Sequence, residues 1–86
     1  MRYRLEFRPA ARKAFLALPR AVRDRVGRRL EALAEEPRSG DVKPLKGKLK
    51  GALRLRVGDC RVLFLRDDQE RILDVLRVGH REDFYD

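Results

Sequence analysis

Apolar and polar residues alternate from Arg2 to Arg8, with Tyr3, Leu5 and Phe7 on one side and Arg2, Arg4, Glu6 and Arg8 on the other. A period of two predicts a half-buried strand. Pro9 ends it and suits the first position of a helix, where a missing N–H costs nothing. Ala11, Ala14, Phe15 and Leu18 then recur at helical spacing up to Pro19, which stops this helix and can open the next. Val22, Val26, Leu30 and Leu33 share one face of a second helix, read over residues 20–36. Its polar face carries Arg23, Arg25, Arg28, Arg29, Glu31 and Glu35 and reads as a solvated surface. Gly27 within it costs roughly 1 kcal/mol relative to alanine, which suggests a close helix or sheet contact.

Residues 37–51 read as a loop from their Pro, Gly and Ser content, with Leu45 and Leu49 as anchors into the core. In the stretch Ala52 to Arg66, apolar and basic residues alternate on either side of Gly58-Asp59, a two-residue hairpin signal with glycine first. That turn sets Val57 opposite Cys60, Leu55 opposite Val62 and Leu53 opposite Phe64, all on one apolar face. Asp67 to Glu70 forms an acidic turn. Arg71 to Gly79 places Ile72, Leu73, Val75, Leu76 and Val78 on both faces, which predicts a central strand. The expectation is an α+β fold over a single domain, residues 1–86. An N-terminal strand, a helical hairpin and a three-stranded antiparallel meander would give a four-stranded sheet with the helices packed on one face. The other face is expected to be open and basic.

Charge sharpens this picture. On the second face of the hairpin lie Arg54, Arg56 and Arg61, with Arg56 and Arg61 directly opposed. Like charges facing each other across a strand pair are destabilising, and such a face is tolerated where it is wet or holds an anion. The net charge of +8 is uneven: residues 38–61 carry eight basic and two acidic groups, residues 62–86 four and seven. A basic centre of this kind suits phosphate binding. Lys43, Lys46, Lys48 and Lys50 stud the loop before the hairpin, a lysine comb that tethers phosphates without reading sequence.

Several classes fall away. One His and one Cys cannot supply a closed metal-ligand set, and there is no Gly-rich phosphate loop, so no metal or cofactor is expected. No apolar run approaches the ~20 residues of a membrane span, and MRYRLEF lacks the apolar core of a signal peptide. A lone cysteine suits a reducing compartment, so the chain is expected to be cytoplasmic and complete. A Cys60–His80 nucleophile pair is conceivable, but Cys60 falls on the core face and reads as a buried, inert thiol. The remaining chemistry is a set of arginines with His80 and Tyr85. These residues suffice for RNA cleavage by the ribose 2′-hydroxyl, which needs cations to neutralise the phosphate and groups to move two protons. On the residues alone, Tyr85 fits tail packing as well as catalysis, and His80 fits a surface turn as well as catalysis.

At YRLEF with PAARKAFLALP, at VKPLKG, at LRLRVGDCRVLF and at VLRVGHREDFY the chain resembles the RelE/ParE toxins of bacterial toxin–antitoxin pairs. The single pieces are weak, but their order and spacing over the whole length are specific. The resemblance implies this fold, a growth-inhibiting activity and a RelB-like antitoxin partner in a heteromeric complex. Its RelE branch implies an mRNA interferase, a metal-independent endoribonuclease that cleaves mRNA at the ribosome. Carried over by position, the family's basic pair falls on Arg54 and Arg56, its arginine after the turn on Arg61 and its arginine after the last strand on Arg81. The terminal tyrosine falls on Tyr85, and His80 takes a neighbouring position that is often basic. Arginine at 54 and 56 stands where RelE-like chains often have lysine, which keeps the charge and removes a proton donor. Cys60 stands where tyrosine is common. The ParE branch implies the alternative, a DNA gyrase-inhibiting toxin without nuclease activity. An inactive RNA-binding or structural relative is the third reading.

Overall fold

The computed structural model describes residues 2–45, 47 and 51–80. Over these the chain runs β1 (Arg4–Phe7), α1 (Pro9–Leu16), α2 (Arg20–Glu35), β2 (Val42–Pro44), β3 (Leu53–Val57), β4 (Cys60–Asp67) and β5 (Ile72–His80). The five strands form one sheet in the order β1-β5-β4-β3-β2. β1 runs parallel to β5, and the other pairs are antiparallel. The α+β class holds, and β5 is interior to the sheet as its two apolar faces require.

The expected four strands are five. β2 lies in the stretch read as a loop and pairs Val42, Lys43 and Pro44 with Leu55, Arg54 and Leu53. Three residues are too few to display a period of two. Pro44 also argues against a strand unless it sits at a sheet edge, where its missing N–H breaks no ladder, and β2 is an edge.

The two proline-opened helices lie against one face. Val26, Leu30, Leu33 and Ala34 of α2 and Ala11 of α1 pack on Leu55, Val57, Cys60, Val62, Phe64, Leu73, Val75 and Val78. Phe7 and Phe15 meet with ring centroids 5.4 Å apart and planes tilted by 45°, within the favourable range for aromatic pairs. Gly27 is not explained by a close approach. A Cβ there would meet Phe15 Cζ at 3.6 Å, an ordinary van der Waals contact.

The opposite face is not fully open, contrary to expectation. Leu45, Ala52 and Leu63 form a second buried cluster against which Leu76 packs. Leu45 N–H donates to Ala52 O at 3.0 Å, fastening the segment after β2 beside the start of β3. Leu76 reaches this cluster by alternation from Val75, which faces the helices, and the β4–β5 ladder slips just there: Leu63 pairs with Arg77, but Phe64 pairs with Val75. The extra residue is a β-bulge, which re-aims the side chains that follow it.

Candidate functional site

The hairpin register is the one the sequence implies, with Arg56 opposite Arg61 and Val57 opposite Cys60. Directly paired residues share a face and successive residues alternate. A row therefore crosses four strands on the face away from the helices: Lys43, Arg54, Leu63 and Arg77. The next row holds Arg56, Arg61 and Gly79. Lys43, Arg56 and Arg77 are exposed, and Arg54 is half-buried. Five cations thus share a face whose interior is Leu63.

Arg61 was expected to be exposed and is not, with only 9% of its surface accessible. Its Nη1 turns back on its own turn and donates to the carbonyls of Gly58 at 3.0 Å and Cys60 at 3.1 Å. Arg56 leans the other way, with Nη2 2.5 Å from Asp41 Oδ2. Asp41 is positioned for this because its carbonyl accepts the Arg56 N–H at 3.0 Å. The opposed charges part rather than confront each other.

His80 does not join the arginines. It pairs with Cys60, whose side chain belongs to the helix-side core, so His80 stands on that side of the sheet. There it borders a recess with Val22, Arg25, Val57, Asp59 and Cys60. The bulge is the cause. Leu73 and Val75 face the helices, and unbroken alternation would put His80 on the other face with Arg54 and Arg56. One extra residue reverses the parity, so Val78 and His80 face the helices instead. Cys60 is buried as expected, and burial, with a smaller push from the Asp59 carboxylate, raises its thiol pKa. A thiol held protonated in this way is no nucleophile.

Of the remaining candidates, Lys43 lies on β2 directly across from Arg54. Lys46, Lys48, Lys50, Arg81 and Tyr85 lie outside the described residues, as does the anchor proposed at Leu49. Arg77 is the cation that reading the sequence missed. Its signal was present, since it is the basic residue among apolar ones on the last strand, but its face depends on the bulge.

Chemically, this face can bind phosphate groups and neutralise charge that builds on them. Arginine forks match phosphate oxygens two at a time. Arginine as a residue type is a poor general acid or base near neutral pH.

Comparison with known proteins agrees with this architecture. The family described as the ParE toxin of the type II toxin–antitoxin system parDE matches residues 5–85. Toxin RelG of Mycobacterium tuberculosis is 37% identical over 87 residues, covering 99% of this chain and 98% of that protein. The toxin–antitoxin complex RelBE2 from Mycobacterium tuberculosis contains a chain that superposes with a TM-score of 0.83 at 32% identity, over 94% of this chain and 100% of its own. The archaeal RelE–RelB complex from Pyrococcus horikoshii OT3 superposes at 0.78 with 29% identity, over 94% and 97%. With a family match spanning nearly the whole chain and relatives of RelE type at full coverage, this chain is a RelE-like toxin of a type II toxin–antitoxin system and belongs to the RelE/ParE superfamily.

Proposed function

We propose that this toxin is a ribosome-dependent endoribonuclease that cleaves mRNA by attack of a ribose 2′-hydroxyl on the adjacent phosphate. The observation that carries the reading is the grouping of Lys43, Arg54, Arg56, Arg61 and Arg77 on one face of the sheet. The names of the relatives, RelG and two RelE–RelB-type complexes, support it. In the reaction the 2′-oxygen bonds to phosphorus and the bond from phosphorus to the 5′-oxygen breaks. The products are a 2′,3′-cyclic phosphate and a 5′-hydroxyl. One proton leaves the 2′-hydroxyl and one reaches the departing 5′-oxygen.

Arg54 and Arg56 then bind the phosphates flanking the scissile bond. Arg61, held by two backbone carbonyls, presents its remaining N–H groups from a fixed position. Fixed donors stabilise developing charge because they need no reorganisation when it forms. Arg81 adds a further cation by family resemblance, and Lys43, Lys46, Lys48 and Lys50 tether the strand on either side. The proton carriers are assigned to Tyr85 first. His80 is the weaker candidate, because it stands across the sheet from Arg54 and Arg56. The physiological partner is a RelB-like antitoxin, in keeping with the complexes named above.

A second reading has one observation in its favour: the matching family description is that of ParE toxins. It makes the target DNA gyrase and leaves mRNA intact. Translation of a defined mRNA in a purified ribosomal system, with and without the toxin, separates the two. The nuclease reading expects cleavage only when ribosomes are translating, strongly reduced in Arg54→Ala and Tyr85→Phe. Intact mRNA at toxin concentrations that arrest growth would overturn it.

A further inference from the structure

On the other side of the hairpin from the sheet face, α2 turns Arg25, Arg28 and Arg29 towards its tip. With Arg56, Val57 and Gly58 they line an open groove of about 360 Å³. The spacing i, i+3, i+4 puts the three on one stripe of the helix. Several arginines elsewhere are paired: Arg2 with Glu31 and Glu35, Arg8 with Asp74, Arg38 and Arg66 with Asp68. Among the described residues, none of Arg25, Arg28 and Arg29 has a carboxylate within ion-pair distance. The acid one turn from Arg28, Glu31, is engaged by Arg2 instead.

The groove is also shaped in advance. Arg29 lies beneath Gly40, where a Cβ would stand 1.8 Å from its Nη2. That nitrogen is buried without a hydrogen-bond partner among the described residues, so the guanidinium is held by packing rather than by a counter-charge. Gly58, at φ +58°, forms a wall with no side chain, and a Cβ there would come within 3.3 Å of Arg25 Nη2. A cation fixed before binding, as Arg29 is, loses less freedom when an anion arrives.

We infer that this groove is a second anion site, which takes a phosphodiester of the RNA strand as it leaves the sheet face around the hairpin tip. The inference rests on the reading of the sheet face as RNA-binding. Arg56 supplies the continuity, since it stands on the sheet face opposite Arg61 and also lines the groove. A chain with a charge at every nucleotide can satisfy both places at once, and planar arginine forks suit its phosphate oxygens.

The test is binding of a 2′-O-methyl RNA oligonucleotide, whose blocked nucleophile prevents cleavage, across a range of salt concentrations. Arg25→Gln/Arg28→Gln changes two exposed residues outside the proposed catalytic set and is expected to leave the melting temperature unchanged. It should weaken binding about tenfold at low salt and flatten the plot of log affinity against log salt by about 0.7, the value for one single-strand phosphate. Unchanged affinity and slope in the variant, with the parent binding normally, would overturn the groove alone. A parent chain that binds no RNA would overturn the groove, while the ribosome-dependent nuclease reading is decided separately by the translation assay. A variant whose only loss is affinity for the antitoxin would show that the groove holds an acidic protein segment and not RNA.

Discussion

Arg56 and Arg61 face each other across the β3–β4 hairpin, and their guanidinium groups are drawn apart. Arg56 is held by the carboxylate of Asp41. Arg61 folds onto the carbonyls of Gly58 and Cys60. The hairpin therefore carries two cations of different kind, one at an exposed ion pair and one built into the turn. That difference separates their effects on stability.

Arg61→Ala is expected to lower stability by roughly 1–3 kcal/mol, because a part-buried and a buried carbonyl acceptor at the turn lose their donor. Arg56→Ala removes an ion pair whose arginine is more than half exposed and should change stability by roughly 0–1 kcal/mol. Both should abolish growth inhibition if the face binds RNA. Thermal unfolding of the two variants beside a growth assay checks this. Equal melting temperatures would mean that Arg61 is not part of the turn.

Two glycines should respond in opposite directions to alanine. Gly27→Ala places a methyl at an ordinary distance from Phe15 in a helix interior and should stabilise by about 0.5–1 kcal/mol. Gly40→Ala needs a side chain at φ +80° and drives its Cβ against Arg29, which should destabilise by roughly 1–2 kcal/mol. Chemical denaturation midpoints decide it. A destabilised Gly27→Ala would reveal a tighter contact between α1 and α2.

Stability should also show a pH signature from the contact of Tyr3 Oη with Asp68 Oδ1, where the phenol donates at 2.6 Å. This hydrogen bond is the main cause of a lowered Asp68 pKa, with help from Arg66 and Arg38. It is also the main cause of a raised Tyr3 pKa. A depressed carboxylate contributes above its ordinary value of 3.8 and loses that contribution as pH falls through the lower folded value. A raised phenol contributes below its ordinary value of 10.0 and loses it as pH rises through the higher folded value. The melting-temperature gap between the parent and Tyr3→Phe should be widest near neutrality and close at both extremes. A gap that does not vary with pH would contradict the contact.

Much of the fold was legible in the chain because its signals are local. The hairpin register followed from a period of two and Gly58-Asp59, and the helices from apolar spacing bounded by Pro9 and Pro19. What escaped depends on longer range. β2 is three residues long and gains its identity only from β3. The bulge between Leu63 and Phe64 arises from fitting β5 to β4, and no local pattern reports it. It moved His80 to the helix side and Arg77 onto the cationic face. Alternation correctly placed Arg61 away from the core, but it says nothing about where a long side chain ends. The Arg25, Arg28 and Arg29 groove read as a solvated helix face, because the missing carboxylates are known only once the ion pairs are.

The most direct test of the central claim is the chemistry of the RNA ends produced when the toxin meets a translating ribosome. Fragments should carry a 5′-hydroxyl and a 2′,3′-cyclic or 3′-phosphate. On assembled ribosomes, cleavage should not depend on which divalent ion keeps them intact, if the cations of the sheet supply the neutralising charge. Fragments with a 5′-phosphate would contradict 2′-hydroxyl attack. Intact mRNA together with trapped gyrase–DNA complexes would contradict the nuclease assignment itself.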